Sequence, residues 1–213
     1  MNYIENIYVC LAAPIFIAIL CIHTRGRRMM LFVFGGMTVC LLSSYISTFI
    51  AAVLGADTIN ASLQIAPFVE EIMKLCPVFF YLLVFEPGKE GISGSVLMTA
   101  VGFATLENAC YLSQNGAEHF MHLLIRGFGT GAMHVVCGAI TGIGLLYLWD
   151  KIWLQIAGTI GLLTIAITYH GIYNMLVEKP GMPAVAGYFI PLATAFLIVI
   201  PLKRKAYRKY GPS

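Results

Sequence analysis

The chain has 213 residues, of which 59% are apolar and 11% charged, with a net charge of +3. That balance excludes a soluble globular domain and leaves a polytopic membrane protein as the class that fits. The few positive charges sit in short loops and the tail rather than on one face, so no nucleic-acid partner is expected.

Seven apolar stretches follow in chain order: Tyr3–Ile22, Met30–Leu54, Ser62–Phe85, Gly91–Ser113, His119–Trp149, Ile152–Leu176 and Met182–Leu202. Each is near or above the ~20 residues that cross a bilayer. No long polar segment, low-complexity run or repeat divides them, so they read as one all-α helix bundle over residues 1–213. The first stretch resembles a signal peptide in length. It carries Glu5 in place of a basic start, and Arg25-Gly26-Arg27-Arg28 follows it rather than small residues. It therefore reads as an uncleaved span.

With the N-terminus outside, the inner loops hold Arg25, Arg27, Arg28, Lys89 and Lys151, and the inner tail holds Lys203, Arg204, Lys205, Arg208 and Lys209. The outer side holds Lys179 and Arg126. This asymmetry predicts an N-out, C-in topology, with the basic tail anchored on anionic lipid. Cys10, Cys21, Cys40, Cys76, Cys110 and Cys137 are scattered singly through apolar stretches, which suits packing rather than disulfides or a metal finger.

Four stretches carry groups that lipid does not tolerate: Glu70, Glu71 and Lys74 in the third, Glu107 and Asn108 in the fourth, His134 in the fifth, and His170 with Asn174 in the sixth. An ionised side chain at mid-bilayer costs roughly 2.5–3.5 kcal/mol even on the lenient insertion scale. Glu70 lies 15 residues from Phe85, Glu107 15 from Ile92, His134 15 from Trp149 and His170 18 from Ile152. These spacings place all four at ~22–27 Å above the inner boundary, nearly coplanar and toward the outer face. Four helices delivering polar groups to one level predicts a shared site.

Within the helices, Glu70 and Lys74, Phe103 and Glu107, and His170 and Asn174 are one turn apart. Glu70 and Glu71 point about 100° apart, so one of them faces the site squarely and spacing alone leaves either open. Three carboxylates and one lysine leave the cluster net negative, so either a proton or a cation belongs there. The fifth stretch is long: 31 residues would reach ~46 Å. Its outer part is expected to project, tilt or break around Gly127-Phe128-Gly129-Thr130-Gly131. Those glycines, with Gly138 and Gly142, serve close helix packing or, alternatively, an unwound segment that receives an extended peptide. His23, His119 and His122 lie near the surfaces and carry no expected role.

Pro67-Phe-Val-Glu70-Glu71-Ile-Met-Lys74 is similar to an EExxK motif, and Gly102-Phe103-Ala-Thr-Leu-Glu107-Asn108 to FxxxEN. With Arg126 to His134 and His170-Gly-Ile-Tyr-Asn174, the chain resembles the PrsW family of intramembrane proteases, within the superfamily that includes the CAAX prenyl endopeptidases. The resemblance implies hydrolysis of peptide bonds in single-span membrane proteins, at or near the extracytoplasmic face of a bacterial cell membrane, with anti-sigma factors as a substrate type. The prenyl endopeptidases place a histidine where this chain has Glu107, so their water-activating pair does not transfer whole.

The first mechanistic reading is metal-free. Glu70 or Glu71 acts as base for water, His170 and Asn174 stabilise the oxyanion, and Glu107 and His134 orient the water. Phe103 and Asn108 support the site, and Lys74 and Arg126 set its charge balance. The second reading is a Zn²⁺ site drawn from Glu70 or Glu71, Glu107, His134 and His170, although no HExxH pair is present. A proton-coupled transporter would use similar residues, but the off-centre site and missing repeat count against it. A non-catalytic scaffold that binds single-span partners is a further alternative, told apart by partner binding without turnover. The sequence does not set an oligomeric state.

Overall fold

The computed structural model describes residues 4–22, 25–85, 89–115, 120–148 and 152–210. His23, His119 and Lys151 lie outside the described residues, as do the side chains of Arg25, Lys89 and the basic tail. The helices are α1 (Ile4–Cys21), α2 (Arg25–Leu54), the short α3 (Thr58–Asn60), α4 (Ala66–Phe85), α5 (Lys89–Asn115), α6 (Phe120–Leu148), α7 (Ile152–Glu178) and α8 (Met182–Tyr210). A five-residue π-helical turn, Ala61–Ile65, joins α3 to α4. The protein is an all-helical, multi-pass membrane bundle. Each of the seven long helices falls on one of the apolar stretches, because a backbone in lipid must satisfy its own hydrogen bonds and a helix does so within one segment. Among the described residues, four of them, α1, Gly26–Leu54, Phe120–Gly142 and Trp153–Glu178, are long and apolar enough to cross a membrane by length and composition.

The outer surface is apolar. Phe49, Leu83, Trp153 and Phe196 are 69%, 72%, 87% and 64% exposed, a pattern that lipid accommodates and water does not. Inside, α2 and α5 pack closely. A Cβ built at Gly36 would fall inside contact distance of the Thr99 carbonyl, and one at Gly102 would do the same at the Val33 carbonyl. The two glycines thus face each other's helices and let the backbones touch, as small residues do in membrane bundles. Met37, Cys40, Phe103 and Leu106 fill the core around this contact.

Of the projection, tilt or break expected of the fifth span, the break is not found: α6 is helical from Phe120 to Leu148, straight through the glycine cluster. Without water to take up freed backbone groups, unwinding would leave N–H and C=O groups unpaired in an apolar medium. The glycines divide by face. Gly129 meets Tyr188 of α8 and Gly142 meets Val96 of α5, while nothing lies within 4 Å of a Cβ at Gly127 or Gly131.

Candidate active site

Four helices bring their polar residues into one buried cluster. On α4, Glu71 is 2% and Lys74 6% exposed; on α6 and α7, His134 is 0% and His170 3% exposed. Lys74 Nζ donates to Glu71 Oε1 at 2.6 Å and to His134 Nδ1 at 2.7 Å. His170 Nδ1 lies 2.8 Å from the same Glu71 oxygen. On the far side of His134, Nε2 meets Glu107 Oε2, and Arg126 Nη2 holds the other Glu107 oxygen at 3.3 Å. Arg126 also donates to Asn108 Oδ1 and stacks over the Tyr111 ring at 3.6 Å. Asn108 in turn donates to the Gly127 carbonyl at 3.3 Å. The cluster is one continuous chain of charged and polar contacts from Arg126 through Glu107, His134, Lys74 and Glu71 to His170.

Partner chemistry fixes both imidazoles. Glu71 as a carboxylate only accepts, so His170 carries its hydrogen on Nδ1 and turns the Nε2 lone pair toward Glu70. Lys74 as an ammonium only donates, so His134 accepts on Nδ1 and gives its Nε2 hydrogen to Glu107. Phe103 forms the floor, its ring 4.5 Å from Lys74 Nζ and 5.0 Å from the His134 ring. The two histidine rings stand edge to face with centroids 5.2 Å apart.

Glu70 differs from its neighbours. Its Oε2 is buried and lacks a hydrogen-bond partner, although it lies 3.8 Å from His170 Nε2. A buried polar atom left unpaired is costly and points to a ligand or a chemical role. Glu70, Glu107 and Arg126 also line a cavity of about 240 Å³, whose other walls include Cys40, Ser44, Leu106 and Gln114. The helical neighbour of Lys74 in the cluster is Glu71 at i−3, while Glu70 at i−4 turns to His170 and the cavity.

Asn174 makes its hydrogen bond outside the cluster. Its Nδ2 donates to the Ser62 carbonyl at 3.0 Å, tying α7 to the π-helical turn ahead of α4. Such turns recur at functional sites, and this one carries no sequence signal. Tyr111, which stacks on Arg126, also escaped the sequence reading, although it is one turn from Glu107 on the same helix. A second buried pair, Thr130 Oγ1 and Tyr173 OH at 2.6 Å, joins α6 to α7 beside the cluster.

The family model for PrsW family intramembrane metalloproteases matches residues 25–202. The chain belongs to the PrsW family. It is accordingly an intramembrane protease, a peptide hydrolase that works on membrane-embedded proteins within the bilayer. Neither curated proteins nor solved structures return a match.

The metal in the PrsW description can be tested against the donors present. Glu70, His134 and His170 each offer a ligand atom, and the three lie within 4.8 Å of one another. Two imidazoles and a carboxylate are a donor set that would suit a catalytic zinc ion. The unpartnered Glu70 oxygen is the kind of group a cation would satisfy. Glu71 stands behind His170 and Glu107 behind His134, the carboxylate–histidine pairing that orients metal-binding imidazoles. The residues fit a metal, with Glu70 rather than Glu71 or Glu107 grouped with the two histidines.

Proposed function

We propose that this protein cuts single-span, membrane-anchored regulatory proteins, of which anti-sigma factors are the type, near the extracytoplasmic face of a bacterial cell membrane. The N-out, C-in topology read from the basic loops puts the cluster toward that face. The apolar outer surface suits a substrate that arrives laterally through lipid. The observation that carries the reading is the buried, unpartnered oxygen of Glu70, a residue that lines a cavity and groups with the buried His134 and His170.

In the reading the geometry favours, Glu70, His134 and His170 hold a divalent ion. The chemistry such an ion supplies is Lewis acidity, which makes water nucleophilic near neutral pH and polarises a carbonyl. Glu70 is the carboxylate free to bind such an ion, since Glu71 and Glu107 are already bound by Lys74, His170, His134 and Arg126; without the ion it is the one free to take a proton. Glu71 and Glu107 keep the two imidazoles in fixed tautomers, and Arg126 steadies Glu107. Asn174 spends one amide hydrogen on Ser62 and has a second for the oxyanion of the tetrahedral intermediate. The cavity gives water a route to Glu70 from outside the apolar core.

A second reading, with Glu70 as sole base and no metal, is favoured by one observation: both nitrogens of His134 are already hydrogen-bonded. A chelator separates the two. The purified protein, treated with a tight zinc chelator, loses cleavage of a fluorogenic single-span substrate and regains it on zinc add-back. Undiminished cleavage in chelator would establish the glutamate-type reading instead.

A further inference from the structure

Lys74 carries an unusual burden for a buried lysine. Its ammonium is 2.6 Å from Glu71 Oε1, 2.7 Å from His134 Nδ1 and 4.5 Å from the centre of the Phe103 ring. These are an anion, an imidazole lone pair and a π face, three partners of a bound cation. The lone pair it takes is the only one a neutral His134 has to offer, because Nε2 is committed to Glu107. His170 Nε2 and Glu70 Oε2, the other two members of the donor group, make no comparable bond to a cation.

We propose that Lys74 is a resident cation that competes with the metal for His134 and so sets which ions the site accepts. The inference rests on the metal reading above. With the ammonium in place, two of the three donors are available; the third opens when Lys74 withdraws toward Glu71 alone. An ion loads fully only if its bond to imidazole nitrogen outweighs the contact between Lys74 and His134. Zinc-like ions meet that condition, whereas hard cations such as Mg²⁺, which take oxygen ligands and shed water reluctantly, do not. Lys74 thus acts through His134 as a specificity-determining residue and does not itself touch substrate.

The alternative is that Lys74 merely supports Glu71, and the sign of one measurement separates the two. Zinc affinity is measured at fixed pH by competition with a chromophoric chelator, on intact protein in detergent, with no substrate present. Lys74→Met is expected to bind zinc about tenfold more tightly or better, opposite in sign to the roughly 10–100-fold loss that follows removal of a ligand's supporting partner. Lys74→Met leaves Glu71 without its counter-ion, so the double variant Glu71→Gln/Lys74→Met is measured beside it, with a thermal melt to confirm folding. Adding His134→Ala to the tighter variant should abolish the gain. An unchanged or weaker affinity in folded Lys74→Met and in the double variant, with zinc still bound by wild type, would overturn the competition and leave the metal reading standing. Zinc bound by neither wild type nor the variants would overturn both.

Discussion

Glu70→Gln is expected to abolish cleavage while leaving the protein folded. Glu70 is the only carboxylate of the cluster with a buried oxygen that nothing bonds, and both readings of the chemistry route the attacking water past it. Losing a general base costs roughly 10²–10⁴-fold in rate, and an amide can neither accept the proton nor replace an anionic ligand. The amide keeps the size of the carboxylate, and its N–H has the lone pair of His170 Nε2 nearby, at a position now 3.8 Å from Glu70 Oε2. Removing a buried, unpaired acceptor should therefore leave the melting temperature equal to wild type or higher. Rates on a fluorogenic single-span substrate and a melt in the same detergent check both halves. A Glu70→Gln protein that cleaves at the wild-type rate would remove Glu70 from the chemistry.

Gly102→Val is expected to have the largest structural effect of any single substitution outside the cluster. A Cβ at this position meets the Val33 backbone of α2, which cannot rotate away as a side chain could. The helices must separate, and the next residue, Phe103, is the floor under Lys74 and His134. Overpacking a well-filled core costs typically about 1–3 kcal/mol, and a clash with backbone belongs at or above the upper end. Gly131→Ala is the matched control: nothing lies within 4 Å of its Cβ, and replacing glycine by alanine inside a helix stabilises by roughly 0.5–1 kcal/mol. Melts of the two variants should move in opposite directions. Equal shifts would contradict the α2–α5 contact.

Much of the candidate site, as a cluster, was legible because lipid makes a polar residue informative: each charge or imidazole in an apolar stretch needs a reason. Counting along helices brought Glu70, Glu107, His134 and His170 to one level, and the structure joins their helices there through a single hydrogen-bonded cluster. The pairings within that level were not legible. Glu70 and Glu71 are both one turn from Lys74, and only the position of α7 decides that Glu71 takes Lys74 and His170. The glycines of α6 were half read. Their packing role at Gly129 and Gly142 is seen, whereas of the projection, tilt or break that the length of the span suggested, the break is not found, since a continuous helix keeps its backbone groups paired. The contact between Gly36 and Gly102 was out of reach, since a glycine does not announce which helix it meets. The π-helical turn held by Asn174 depends on a tertiary hydrogen bond and left no pattern in the chain.

The central claim is that the cluster of Glu70, His134 and His170 hydrolyses peptide bonds toward the outer face of the membrane. The most direct measurement is mass spectrometry of the products when wild type and His170→Ala, each in liposomes, meet one single-span substrate. Wild type is predicted to yield a pair of fragments cut in the outer third of the substrate's span, and His170→Ala to yield none. The same fragments from His170→Ala at the wild-type rate would contradict the account.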